Sequence, residues 1–159
     1  MSWKAWVSLA ARVVLGGAIL YAGLLKIGDL NQSVVAVKAY ELPFPAGLIT
    51  LIGYALPIVE IVLGAAIVAG VLTRWTALLG GLMMVVYIIG LSSAWARGLN
   101  IDCGCFTPGG ALSPDQKADY LKSILRDVGF TALAVWVVLW PRTPLSVDAW
   151  IAGPEADAA

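Results

Sequence analysis

Four long apolar segments, separated by short polar stretches, dominate the pattern of the chain. The predicted membrane spans cover about residues 5–27, 47–72, 75–96 and 120–140. Each contains about 20 residues, which at about 1.5 Å per residue match a hydrocarbon core about 30 Å thick. We therefore predict an all-α fold, an integral membrane four-helix bundle in residues 1–142. A surface or loose C-terminal tail is expected in residues 143–159.

The composition agrees with a membrane protein. Hydrophobic residues make up 60% of the chain and charged residues 13%, whereas a soluble domain has about 25% charged residues. A soluble domain of 159 residues could not bury so much apolar surface, so the lipid bilayer is the first expected partner. Positive and negative residues are equal in number, at 10 each. No basic run indicates a nucleic-acid partner, and we expect none.

The polar connectors carry two signals for the start of a helix. Asp29 followed by Gln32 has the pattern of a capping box and predicts a short helix at the membrane surface. The sequence Ser113-Pro114 followed by Gln116 has a similar pattern, with proline at the first helical position. It predicts that the last helix begins there.

The two cysteines of the chain lie between the third and fourth predicted spans, as Cys103-Gly104-Cys105. Joining them would close a very small ring, and a disulfide that departs from ideal geometry is strained and easily reduced. We therefore interpret Cys103 and Cys105 as a labile redox pair. Two other interpretations remain open: inert small residues in a tight turn, or half of a metal site completed by another chain. A structural zinc site usually has four ligands, and this chain has no histidine, so we predict no metal site within it.

Four charged residues are candidates for supporting roles: Arg12, Lys26, Glu60 and Arg97. Glu60 falls near the middle of the second span, where a carboxylate is costly unless it is protonated or paired. We expect it to face the bundle interior, either protonated and bonded to a freed backbone carbonyl or acting beneath the cysteines as a proton acceptor or charge partner. Arg12 is either a functional group inside the first span or snorkels to the near headgroups.

The sequence also suggests which thiol attacks. The thiolate is the reactive form of cysteine. Asp102 beside Cys103 disfavours a thiolate there, whereas Arg97, Lys26 or a helix start favours one in the loop. We therefore predict Cys105 as the attacking thiol and Cys103 as the resolving thiol.

Three motifs in the predicted spans and the cysteine loop occur together. The first comprises Arg12, Leu15-Gly16 and Tyr21-Ala22-Gly23-Leu24-Leu25-Lys26. The second is Pro57-Ile58-Val59-Glu60 followed by Gly64. The third is Arg97-Gly98-Leu99 leading into Cys103-Gly104-Cys105-Phe106, and it is the most specific of the three. Over about residues 12–140 the chain resembles the DoxX-like family of membrane proteins that includes the methylamine-utilisation protein MauE.

The resemblance implies a four-helix membrane bundle linked with disulfide formation or maturation of an exported dehydrogenase subunit. Nothing in this sequence indicates that dehydrogenase, so methylamine metabolism is not carried over. The resemblance also implies that the cysteine loop faces the outside of a bacterial plasma membrane, where disulfides persist, with both termini in the cytoplasm. The positive-inside rule favours the opposite orientation, because more basic residues lie on the loop side. We follow the resemblance.

These observations favour a membrane thiol–disulfide relay that supports disulfide formation or maturation of exported proteins. A single cysteine pair needs a second redox partner, either an exported thioredoxin-fold protein or a quinone. No motif marks a quinone site, and no other cofactor is evident. The alternative is a non-catalytic accessory or assembly subunit of a larger membrane complex. A small-solute carrier using Arg12 and Glu60 is less favoured, because four spans without a repeat are few for a transporter.

Overall fold

The computed structural model describes residues 3–107 and 109–152 of the chain. Four long helices form the bundle: α1 (Trp3–Ile27), α3 (Ala46–Ala69), α4 (Thr73–Ala96) and α5 (Tyr120–Leu139). The shorter elements are α2 (Leu30–Ala39), α6 (Val147–Ala152), β1 (Ile101–Asp102) and β2 (Gly110–Ala111). The prediction of an all-α membrane bundle is confirmed. The two strands, of two residues each, were not predicted.

The long helices agree closely with the predicted spans. Within the described part of the chain, three helices are long and apolar enough to cross a membrane, namely α1, α3 and α4. The fourth, α5, has 20 residues, but its first half carries Lys122, Arg126 and Asp127. A fourth crossing by α5 therefore stays a prediction.

The contact between α1 and α3 depends on glycine. A Cβ atom added at Gly23 would lie 2.9 Å from the Glu60 Cβ, and one added at Gly16 would lie 2.9 Å from the Val68 backbone nitrogen. Small residues let helix backbones approach closely in this way. The close approach places Lys26, at the end of α1, beside the middle of α3.

The centre of the bundle is an apolar core to which all four long helices contribute. Its fully buried members are Leu15, Ile19, Ile67, Met84 and Ala134. A second cluster lies closer to the cysteines and joins the end of α4, the first strand and the start of α5. Its buried members are Leu91, Ala94, Ile101 and Tyr120. The cysteine loop is therefore anchored on the bundle.

The short helix α2 lies over the first half of α3. A Cβ atom at Gly53 would lie 2.6 Å from the Val34 Cα, so the two helices are in direct contact. The Asp29 side chain caps α2 by accepting a hydrogen bond from the Gln32 backbone N–H at 3.0 Å. The predicted helix start at this position is confirmed.

The predicted start of the last helix at Ser113 is wrong. The Gln116 N–H donates to the Ser113 carbonyl at 2.9 Å in a turn, and α5 begins at Tyr120 with Asp119 as its cap. The Asn100 side chain explains the delay, because it donates to the Gln116 carbonyl at 2.7 Å. Such side-chain bonds to the backbone compete with helix formation.

Both ends of the described chain lie at the end of the bundle opposite the cysteines. The Trp3 ring is 6.2 Å from the Trp136 ring. The Asp148 N–H donates to the Gly70 carbonyl at 3.1 Å, which ties α6 to the end of α3. Residues 143–152 of the predicted tail thus contact the bundle, whereas residues 153–159 fall outside the described part of the chain.

Candidate functional site

A short β-ribbon carries the cysteines. Ile101 pairs with Ala111 and Asp102 with Gly110, and the thiols follow directly after β1. Gly104 and Gly109 have φ angles of 69° and 71°, a conformation that glycine adopts without strain. A Cβ atom at Gly109 would lie 2.7 Å from the Gly104 Cα. The loop is folded so tightly that both positions require glycine.

The Cys103 sulfur accepts two hydrogen bonds. The Arg126 Nη2 donates to it at 3.2 Å, and the Cys105 backbone N–H donates at 3.3 Å. Donors directed at a sulfur favour its charged form. The interaction with the Cys105 side chain and the contact with Arg126 outweigh partial burial and lower the pKa of Cys103 to about 6.

Cys105 lies in the opposite setting. Its side chain is buried, whereas that of Cys103 is partly exposed, and both are free thiols. The hydrogen bond to Cys103 and burial both raise the pKa of Cys105. The two thiols form one titrating unit, and the first proton leaves Cys103. Near neutral pH, the pair holds an accessible thiolate and a buried thiol.

The charges around the thiols differ from those on which the predicted roles rest. The Asp102 carboxylate accepts a hydrogen bond from the Gly104 N–H at 3.2 Å. The cation that reaches a thiol is Arg126, which was not among the predicted supporting residues. Cys103, rather than the predicted Cys105, is therefore the more exposed and the more readily ionised of the two thiols.

Arg126 joins the thiols to a second buried group. Its Nε donates to Asp127 Oδ1 at 2.9 Å, and its guanidinium lies 4.8 Å from the centre of the Phe106 ring. A charged pair inside a largely apolar helix is a functional candidate by default. That signal was present in the sequence at Arg126 and Asp127 and could have identified them.

Glu60 forms an ion pair beneath the loop. The Lys26 Nζ donates to both Glu60 carboxylate oxygens, at 2.7 and 2.9 Å. The Tyr87 hydroxyl donates to Glu60 Oε1 at 2.7 Å. Glu60 is 1% exposed, as expected for a carboxylate that faces the bundle interior. The Lys26 ammonium is bound to Glu60 in this pair. Lys26 is therefore not the cation that contacts a thiol.

Two spaces adjoin the thiols. A cavity of about 10 Å³ inside the bundle is lined by Cys105, Glu60, Tyr87 and Asp127. Cys103 instead lines an open cleft of about 370 Å³ on the outer side, between the ribbon and the start of α5. The cleft leaves room for a partner beside Cys103, and the inner cavity connects Cys105 to buried polar groups.

The other two predicted supporting residues do not reach the thiols. Arg97 donates from Nη1 to the Glu41 carbonyl at 3.1 Å and joins the end of α4 to the end of α2. Arg12 lies at the opposite end of the bundle, where Nη1 donates to the Thr143 hydroxyl at 2.7 Å and Nη2 to the Leu145 carbonyl at 2.9 Å. Both arginines hold connecting segments in place.

Among residues 3–107 and 109–152, no three Cys, His, Asp or Glu side chains are grouped as a metal ion would require. The chemistry that the thiol loop can perform is nucleophilic attack by sulfur. An accessible thiolate with a buried thiol beside it is the arrangement for thiol–disulfide exchange.

Comparison with known proteins identifies the family. The chain matches no curated protein and no solved structure. A family model described as methylamine utilisation protein MauE matches residues 4–140, which include every long helix and the cysteine loop. The protein therefore belongs to the MauE family of membrane proteins.

Proposed function

We propose that the protein is a membrane thiol–disulfide relay that supports disulfide formation or maturation of exported proteins. One observation carries this proposal. The Cys103 sulfur accepts hydrogen bonds from Arg126 and from the Cys105 N–H, and Cys105 is buried behind it. An inert pair of small residues in a turn would not need a guanidinium directed at its sulfur.

The exchange proceeds in two attacks. The Cys103 thiolate attacks one sulfur of a partner disulfide, a mixed disulfide forms, and the second partner sulfur leaves as a thiolate. The Cys105 sulfur, once deprotonated, attacks the Cys103 sulfur and releases the first partner sulfur. The pair becomes a disulfide, the partner becomes a dithiol, and two electrons pass to the partner. The same steps in reverse oxidise a partner dithiol.

The proposed partner is an exported thioredoxin-fold protein, which approaches the cleft beside Cys103. This requires the cysteine loop to face the outside of a bacterial plasma membrane, with the termini in the cytoplasm. An oxidising exterior supports that orientation, because disulfides persist there. A quinone is the other candidate acceptor for the two electrons. The family description suggests methylamine utilisation as the biological setting.

Trapping tests this function. In Cys105→Ala, the mixed disulfide on Cys103 cannot be resolved, so we expect a reductant-sensitive adduct with an exported protein. Cys103→Ala lacks the accessible thiol and should trap much less. The adduct is measured by non-reducing electrophoresis and identified by mass spectrometry. A membrane-impermeant maleimide, added to cells with a permeable outer barrier, should block its formation.

The double variant Cys103→Ala/Cys105→Ala is the control. If neither single variant traps a partner and the double variant complements a deletion strain, the relay is excluded. The protein would then be a non-catalytic accessory or assembly subunit of a membrane complex. If an adduct forms but the impermeant maleimide has no effect, the loop faces the cytoplasm.

A further inference from the structure

We propose that Asp127 is the proton acceptor for Cys105 when Cys105 resolves the mixed disulfide. This inference rests on the proposed relay and adds a catalytic residue to it. Asp127 is placed by α5, seven residues after that helix begins at Tyr120. The proposal follows from three features of Asp127: its burial, its unused oxygen and the cavity it shares with the thiol.

Asp127 is oriented by one carboxylate oxygen. Oδ1 accepts a hydrogen bond from Nε of Arg126 at 2.9 Å and lies 2.9 Å from Nη2 in the same ion pair. Oδ2 is fully buried and has no hydrogen-bond partner within the described residues. A buried oxygen without a hydrogen-bond partner destabilises the folded protein, so its retention calls for an explanation.

The cavity supplies that explanation. Asp127 and Cys105 both line the space of about 10 Å³ inside the bundle. A volume of about 10–15 Å³ is enough for a single water molecule. A proton can therefore pass from the Cys105 sulfur to the free Asp127 oxygen through one water molecule.

Glu60 is the other carboxylate on this cavity, and it is already engaged. Lys26 binds both of its oxygens, and the Tyr87 hydroxyl binds Oε1. Both Glu60 oxygens are therefore occupied, whereas Asp127 Oδ2 has no partner within the described residues. Asp127 is the carboxylate on the cavity with a free oxygen.

The resolving step begins with the transfer of a proton. The Cys105 S–H bond breaks and its proton goes to the Asp127 carboxylate. The Cys105 thiolate then attacks the Cys103 sulfur, the Cys103–partner S–S bond breaks, and the Cys103–Cys105 S–S bond forms. The partner leaves as a thiolate and takes the proton from Asp127 or from water. In the dithiol, the Cys103 neighbour and burial both raise the pKa of Cys105. In the mixed disulfide the Cys103 sulfur carries no charge, so burial is the cause that remains to hold the proton on Cys105 when no acceptor is present.

The test uses the purified full chain in lipid nanodiscs and an aromatic disulfide, dithiobis(nitrobenzoate). Attack by Cys103 releases one coloured nitrobenzoate thiolate, and resolution by Cys105 releases a second. General base catalysis contributes about 100-fold or more. We therefore expect Asp127→Asn to slow the second release about 100-fold near neutral pH, while the first release still occurs. Raising the pH should restore the second release, since hydroxide then removes the proton.

The opposite result is equally clear. If Asp127 acted only as a nearby negative charge, Asp127→Asn would favour the Cys105 thiolate and accelerate the second release. An accelerated or unchanged second release overturns the proposal. Asp127→Glu, which keeps a carboxylate, should restore part of the rate. Asp115→Asn removes an exposed carboxylate and should leave both releases unchanged.

A second variant guards against loss of folding. Arg126→Gln/Asp127→Asn removes both charges and leaves neither buried alone. The double variant should release the second nitrobenzoate thiolate slowly, and more slowly than Arg126→Gln does. Equal rates in these two variants would also overturn the proposal. Loss of the first release in the unaltered chain would instead contradict the relay itself, so the two failures are distinguishable.

Discussion

The two ends of the bundle each contain an aspartate and an arginine, and each arginine contacts a non-helical segment. At the terminal end these residues are Arg12 and Asp148, and at the loop end they are Arg126 and Asp127. The residue types are the same, and Arg12 is more deeply buried than Arg126. Burial of an arginine therefore does not distinguish the two ends.

The partners of these residues do distinguish the two ends. At the terminal end, Arg12 and Asp148 bind a hydroxyl, carbonyls and backbone N–H groups, none of which reacts. At the loop end, Arg126 is shared between a carboxylate and a sulfur. The first arrangement can only hold a segment in place, whereas the second also changes the protonation of a nucleophile. A buried charge indicates chemistry when one of its partners can react.

The largest expected effect concerns the ion pair that supports the loop end. Lys26→Met leaves the buried Glu60 carboxylate without its cation, and removal of one partner from a buried pair costs about 3–5 kcal/mol. Glu60→Gln removes the other partner but can still accept from Tyr87. The free energy of unfolding is measured by denaturant titration in mixed micelles.

The double variant Lys26→Met/Glu60→Gln tests whether the two residues act as a pair. We expect it to be less destabilised than the sum of the two single variants, because no unpaired charge remains. Additive effects would contradict the pair. Arg12→Gln at the terminal end should lower the free energy of unfolding by the same amount whether or not the Lys26–Glu60 pair is present.

The next effect is a difference between Arg126 and Arg12 in how each controls the pH at which Cys103 ionises. The pKa of Cys103 is about 6, so its thiolate is present above about that pH and is lost as the pH falls below it. Arg126→Gln should raise the midpoint of Cys103 alkylation by about 1–3 pH units, the range expected for loss of an adjacent opposite charge. Limited alkylation followed by mass spectrometry measures the midpoint at Cys103 alone.

The matched variants complete this test. Arg126→Lys keeps the charge but not the planar guanidinium fork, and we expect a smaller shift. Arg12→Gln should destabilise the protein and leave the midpoint unchanged. A midpoint that moves equally in Arg12→Gln and Arg126→Gln would show that the difference between the two ends of the bundle is not electrostatic.

Hydrophobic pattern was sufficient to predict the long helices. The predicted spans 5–27 and 75–96 became Trp3–Ile27 and Thr73–Ala96, because about 20 mostly apolar residues leave few alternatives in a bilayer. The prediction that α5 starts at Ser113 was wrong because of a contact from elsewhere in the chain. The Asn100 side chain, which is distant in sequence, binds the backbone at Gln116 and Ala118.

The site was predicted only in part for the same reason. Cys103-Gly104-Cys105 is recognisable because it is contiguous, and Glu60 because a carboxylate is rare in an apolar span. The partner of each residue depends on which helices face each other, and periodicity does not determine that. Sequence proximity suggested Asp102 as the charge that acts on Cys103, whereas folding places Arg126 there.

The smallest expected effect is at the terminal end. The Asp148 carboxylate accepts from the Leu72 and Thr73 N–H groups at 2.8 and 2.7 Å and so caps the start of α4. Burial alone would raise the pKa of Asp148, but these backbone donors dominate and lower it.

A carboxylate whose pKa falls on folding stabilises the protein above its unfolded pKa, and this contribution is lost as the pH falls through the folded value. Asp148→Ala should cost about 1 kcal/mol, typical for loss of a cap, and lower the unfolding midpoint by about 2–4 °C. Thermal unfolding at neutral and acidic pH measures this, and the difference between the two proteins should narrow in acid. The alkylation midpoint of Cys103 should not change, since Asp148 lies at the far end of the bundle, and a shift there would show that the two ends are coupled.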